Sequence, residues 1–133
     1  MDVLDLCKQY QDALSRKDLS ALERLFTPDA VVKAPISGTA NVRQFHTYLF
    51  SNTKRNIAKF GNVIRPGGKS SPITLHFSYT LSIESGEVAV LDGVVQFEVD
   101  ESLQKFKAIS FIYDPTELRH LMDEAGIAPL RQA

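Results

Sequence analysis

Tyr10, His46, Asp92 and Cys7 are the side chains of this sequence whose types and neighbours bear most directly on chemistry. Tyr10 sits in the spaced apolar series Val3, Leu6, Cys7, Tyr10, Ala13 and Leu14, so its hydroxyl is carried toward a core, where it needs a partner. His46 falls on a similar stripe, with Val42, Phe45 and Leu49. An imidazole with an ordinary pKa of about 6.5 can serve there as a general base or as a hydrogen-bonded core ring. Asp92 precedes Gly93, a glycine that predicts a bulge or a bend in its strand. A bulge would turn the carboxylate inward, whereas regular alternation leaves it in water at a strand edge. Cys7 is the only cysteine, which excludes an internal disulfide or a thiolate cluster, and its apolar neighbours make it a small buried hydrophobe. His76 and His120 lie off the apolar faces and read as surface or interface residues. The histidines and acids lack metal-ligand spacing, and neither a glycine-rich phosphate loop nor a serine elbow is present, so no metal and no cofactor is expected.

Two helices and a strand must position Tyr10 and His46. The first helix should end near Lys17, and Asp18 is a good N-cap for a shorter second helix with Leu19, Leu22, Leu25 and Phe26 on its buried stripe. Thr27-Pro28-Asp29 stops that helix, and Ala30 to Ala34 reads as a strand ended by Pro35. Ser37-Gly38-Thr39 is read as a turn, with Thr39 or Asn41 capping a third helix that runs to about Ser51 and carries His46. Strands follow over 57–65, 73–83 and 87–99, with a last one ending at Tyr113. The 73–83 strand alternates most cleanly, setting Ile73, Leu75, Phe77, Tyr79, Leu81 and Ile83 against Thr74, His76, Ser78, Thr80 and Ser82. Pro66-Gly67-Gly68-Lys69 is turn chemistry, and Asp114-Pro115-Thr116-Glu117 opens a final helix whose stripe is Leu118, Leu121, Met122 and Ala125. Helices first and an antiparallel meander after them make an α+β chain.

The totals set limits on partners. A chain of 133 residues suits one domain, 1–133, large enough for a core without disulfides or metals. Its net charge of -1, from 15 basic and 16 acidic residues with no like-charged block, gives no footprint for nucleic acid or anionic lipid. The first residues are acidic where a signal peptide is basic, and no apolar run approaches the ~20 residues of a membrane span. A cytoplasmic protein with no membrane partner is expected.

Three stretches, in order and suitably spaced, look like parts of one family: Tyr10-Gln11-Asp12-Ala13-Leu14-Ser15-Arg16-Lys17-Asp18-Leu19, Leu25-Phe26-Thr27-Pro28-Asp29-Ala30-Val31-Val32, and Ser37-Gly38-Thr39-Ala40-Asn41-Val42-Arg43-Gln44-Phe45. Over nearly its whole length the chain resembles the ketosteroid isomerase and SnoaL-like branch of the NTF2-like superfamily. The resemblance implies a cone, with a curved antiparallel sheet wrapped around N-terminal helices and a short C-terminal helix. It also implies an internal pocket and a homodimer formed through the outer sheet face. In the isomerases a tyrosine and a protonated aspartic acid hold the enolate oxygen while an aspartate moves the proton. Tyr10 matches that tyrosine, and His46 falls where a second tyrosine supports it. The base matches Ala34 and the protonated acid matches Val95, and neither titrates. A positioned base contributes about 10²- to 10⁴-fold and an oxyanion donor a comparable factor, so the familiar isomerase reaction is not expected.

One implied function is a pocket for a small hydrophobic or aromatic molecule, walled by Phe45, Val95, Phe97, Ile109, Phe111 and Tyr113 and anchored by Tyr10 and His46. Were it an enzyme, the chemistry would be metal-free proton transfer of the isomerase or cyclase type, with His46 or Asp92 as candidate base. The alternative is a non-catalytic dimeric module whose cone is filled by its own aromatics. Cavity volume separates them, since ligand sites usually offer about 300 Å³ or more.

Overall fold

The computed structural model describes residues 3–67 and 72–130. Helix α1 (Val3–Arg16) buries Leu6, Cys7, Tyr10, Ala13 and Leu14, the face its spacing dictates. Lys17 then takes a left-handed turn at φ 55°, and its ammonium donates to the Thr53 carbonyl at 2.5 Å, tying the α1 end to a residue 36 positions on. Asp18 caps α2 (Leu19–Glu23), its Oδ1 accepting from the Ala21 amide at 3.0 Å. The Ala21 N–H also holds the Asp18 carboxyl below its usual pKa. Asn41 does the same service for α3 (Val42–Asn52), accepting from the Gln44 amide at 2.7 Å.

Six strands form one curved sheet in the order β2-β1-β6-β5-β4-β3. They are β1 (Phe26–Ala34), β2 (Gly38–Asn41), β3 (Arg55–Arg65), β4 (Ile73–Ser82), β5 (Val88–Asp100) and β6 (Lys105–Tyr113), and α4 (Thr116–Glu124) follows. Strands β3 to β6 are the expected antiparallel meander. The sheet as a whole is mixed, because β1 lies parallel to β6, with Val32 opposite Ile109. A parallel neighbour needs a long crossover, and α3 with the meander supplies it. The Ser37-Gly38-Thr39 turn is also more than a turn: residues from Gly38 onward form β2, paired with β1 from Val31↔Asn41 to Ala34↔Gly38. Strand β1 begins at Phe26, ahead of the expected Ala30, but its pairing with β6 breaks between Phe26 and Val31, where Pro28 has no amide to offer.

The sheet does not close on itself. Its β3 edge is covered by α1 instead, with Ser15 Oγ accepting from the Ala58 amide at 3.2 Å and Gln11 Oε1 from the Phe60 amide at 2.8 Å. Gly93 marks a close approach of β6 rather than a bulge. The ladder runs regularly through Phe77↔Gly93 and Gly93↔Tyr113, and a Cβ there would stand 2.1 Å from the Ile112 carbonyl oxygen. The β5 irregularity falls between Glu98 and Val99. Inward alternation is therefore kept across Leu91, Gly93, Val95 and Phe97, and Asp92 stays outward. Gly68 and Lys69 of the expected turn lie outside the described residues.

Candidate functional site

Tyr10 from α1 and His46 from α3 meet inside the sheet's curve, both with no exposed surface. His46 Nδ1 lies 2.7 Å from the Val42 carbonyl, four residues back on its own helix. A carbonyl only accepts, so Nδ1 carries the proton and Nε2 is left to accept from the Tyr10 hydroxyl at 2.7 Å. Burial pushes the His46 pKa down to about 4, with the Val42 carbonyl opposing the shift, so the ring is neutral at physiological pH. Burial likewise raises the Tyr10 pKa. The Tyr10 ring is fixed by aromatic contacts on several sides: it stacks on Phe60 at 6.1 Å and meets Phe26, Phe97 and Phe106 edge-on at 5.8, 6.0 and 6.3 Å.

Tyr79, on the inner face of β4, ends a second buried polar chain. Its hydroxyl donates to Asn56 Oδ1, Asn56 Nδ2 donates to Thr53 Oγ1 at 2.8 Å, and Thr53 Oγ1 donates to the Leu49 carbonyl at 2.7 Å. Tyr113 at the end of β6 is half-buried, its ring meeting Phe77 at 6.1 Å. Burial raises its pKa, while the Ile36 amide and Arg119 pull the other way. These three tyrosines line one narrow cavity with about 30 Å³ of room, enough for a water or two. Phe45, Phe60, Phe77 and Phe111 complete its aromatic wall, and Leu118 reaches it from α4.

The expected site residues divide into four places. Tyr10, Phe45, Phe111 and Tyr113 line the cavity. Val95, Phe97 and Ile109 are at most 1 % exposed and lie in the packed core beside it. His46 stands behind Tyr10, reaching the cavity only through that hydroxyl. Asp92 is exposed on the outer face of β5 opposite Ser78, in a surface cleft with Asp114, Glu117 and His120, because no bulge turns it inward. The lining residues that sequence reasoning left out include Tyr79, Phe60, Ile36 and Leu118. Tyr79 was already on the inward stripe of β4, but nothing in the sequence paired it with Asn56.

Chemically the cavity is hydrocarbon with three hydroxyls. Among the described residues that line it there is no carboxylate, imidazole, thiol or amine, and Ala34 presents only a methyl. The Tyr10 proton is committed to His46 and the Tyr79 proton to Asn56, so both offer an incoming molecule an oxygen rather than a hydrogen. Among the described residues no three His, Cys, Asp or Glu side chains gather as a metal site requires, and no helix is long and apolar enough to cross a membrane.

No family model and no curated protein matches the chain. Solved structures do. An NTF2-like protein of unknown function from Burkholderia pseudomallei K96243 superposes with a TM-score of 0.75 at 16 % identity, covering 91 % of this chain and 98 % of that one. A protein with a ketosteroid isomerase-like fold from Catenulispora acidiphila DSM 44928, in complex with trimethylamine, gives 0.72 at 12 % identity over 93 % and 94 %. A provisionally named SnoaL-like polyketide cyclase from Shewanella denitrificans OS-217 gives 0.69 at 12 % identity over 92 % and 97 %.

Proposed function

With the NTF2-like fold of those structures as premise, we propose that this chain is a single small-molecule-binding domain whose cavity takes an apolar or aromatic ligand. The observation that carries the reading is the placement of aromatic side chains. Of the twelve Phe and Tyr residues, seven border this one cavity, a concentration suited to an apolar guest. A structural neighbour crystallised with trimethylamine adds support that this fold accommodates small molecules. Tyr10 is the inner polar anchor, offering its oxygen while its hydroxyl donates to His46. Proton-transfer chemistry of the isomerase or cyclase type would have to run through that pair, since Asp92 lies outside the cavity. The test is native mass spectrometry of the purified protein, followed by calorimetric titration with substituted benzenes and naphthalenes. Saturable binding that weakens when Leu118→Trp fills the cavity is expected. A panel with no saturable member up to millimolar concentration would sink the reading.

The narrowness of the cavity favours a second reading, a non-catalytic homodimeric module packed by its own aromatics. Its interface would be the outer sheet face, where Ile57, Val90 and Ile112 are about half exposed and adjoin Thr80 and Val94 in the strand register. Light scattering at micromolar concentration should then return twice the chain mass, and a monomer mass would count against it.

A further inference from the structure

A second recess opens where α1, α2 and the β5–β6 turn meet, and it shares no lining residue with the aromatic cavity. It offers about 450 Å³, within the range of small-molecule sites, with the fold as it stands. Leu6 and Leu25 are its buried hydrocarbon, and Leu103, 55 % exposed on the turn, flanks them. Its charged walls are Asp12, Arg16, Arg24 and Lys105. One backbone bond fixes two of these segments together. The Phe106 amide donates to the Leu25 carbonyl at 2.8 Å, and Lys105 and Arg24 are the residues that immediately precede its two ends. The cations differ in what they have left to give. Arg16 is spent on Asp12 at 2.9 Å and on Asp18 at 3.2 Å. The side chains of Arg24 and Lys105 make no hydrogen bond or ion pair among the described residues. Neighbouring acids are engaged elsewhere: Asp18 Oδ1 caps α2, and Glu23 holds Arg43 at 3.1 Å. Asp100, opposite Lys105 in the ladder, accepts at Oδ1 from the Ser102 hydroxyl at 2.7 Å and the Leu103 amide at 3.1 Å. Glu101 of the same turn does not line the recess.

We propose that this recess binds a small phosphate monoester with an apolar body, Arg24 and Lys105 holding the phosphate and Leu6, Leu25 and Leu103 the hydrocarbon. At pH 7 a phosphate monoester carries a charge of about −1.5 to −2, which answers two unspent cations better than a single carboxylate does. Free phosphate leaves the leucines uncovered, and a neutral aromatic leaves the cations unmatched, so the two halves of the recess together select a molecule that has both parts. The site is separate from the aromatic cavity and stands or falls without it.

Amide NMR titrations of the isotope-labelled protein at low salt test this with phenyl phosphate, benzoate, inorganic phosphate and phenol. Phenyl phosphate should move the amides of Arg24, Leu103, Gln104 and Lys105 saturably, with benzoate about threefold weaker and inorganic phosphate and phenol about tenfold weaker or more. Arg24→Gln and Lys105→Gln should each weaken phenyl phosphate about threefold or more, and Arg24→Lys should retain part of the affinity, which guards against a folding defect. Leu103→Ser should weaken phenyl phosphate and leave inorganic phosphate unchanged. Lys59→Gln, which removes an exposed charge on β3, should change neither. An equal loss in Lys59→Gln would mean diffuse attraction to the whole surface and would overturn the site. Inorganic phosphate binding as tightly as phenyl phosphate would overturn it too, as would the absence of saturable shifts up to about 10 mM ligand. Leu118→Trp, which fills the aromatic cavity, should leave phenyl phosphate binding intact, and its loss there would overturn the recess by moving the ligand into the cavity.

Discussion

Tyr10 and Tyr113 border the same cavity, yet Tyr10 is wholly enclosed and donates its hydrogen bond to His46, whereas Tyr113 is half-buried and donates to no acceptor among the described residues. At the inner end every polar atom is matched by another protein atom, and aromatic rings hold that arrangement from several sides. At the other end Tyr113 comes from the end of β6, just before a short helix that lacks a side-chain cap bond at its N-cap residue. The contrast separates structure from recognition. A buried hydroxyl satisfied internally stabilises the fold, and a partly exposed one with an unspent donor is available to a ligand.

The sharpest way to break this comparison is His46→Ala. It leaves a void and an orphaned Tyr10 hydroxyl in a fully buried place, so urea melts should show a loss of about 3–5 kcal/mol. A loss below about 1 kcal/mol would mean that the inner end is not the structural one.

Acid should act on the inner end next. The His46 pKa is lowered from 6.5 to about 4 on folding, so above pH 6.5 the ring is neutral in both states and its contribution is whole. As the pH falls from 6.5 toward about 4, the unfolded chain takes up a proton that the folded chain refuses. Stability therefore declines across that window, by about 3 kcal/mol in all, and this contribution flattens below it. Melts of the wild type from pH 7.5 to 4.5 should show the decline, and His46→Gln should lack it.

Smaller effects set the two tyrosines side by side. Tyr10→Phe leaves His46 Nε2 without its donor and should cost about 1–3 kcal/mol, while Tyr113→Phe should cost less than about 1 kcal/mol. Equal costs in thermal melts would erase the distinction between the ends.

Much of the fold was legible from periodicity and punctuation. The stripe through Tyr10, the caps at Asp18 and Asn41, the alternation from Ile73 to Ile83 and the helix after Asp114 are local signals, because period and capping are written within a few residues. The parallel pairing of β1 with β6 was not legible, since nothing local in either strand specifies a partner such as Ile109 for Val32, 77 positions away. The orientation of Asp92 turned on whether Gly93 relieves a bulge or a close strand approach, and both ask for the same residue.

The sequence by itself determined which faces are apolar, that Tyr10 and His46 ride on them, and that Ala34 and Val95 bring no carboxylate to the interior. Only the tertiary structure decided where each proton sits. A hydroxyl's role depends on what lies within about 3 Å of it, and those neighbours arrive from distant parts of the chain. His46 accepts the Tyr10 hydrogen bond across 36 residues and Asn56 that of Tyr79 across 23, while β6, residue Ile36 and α4 bring Tyr113, Ile36 and Leu118 to the same cavity wall.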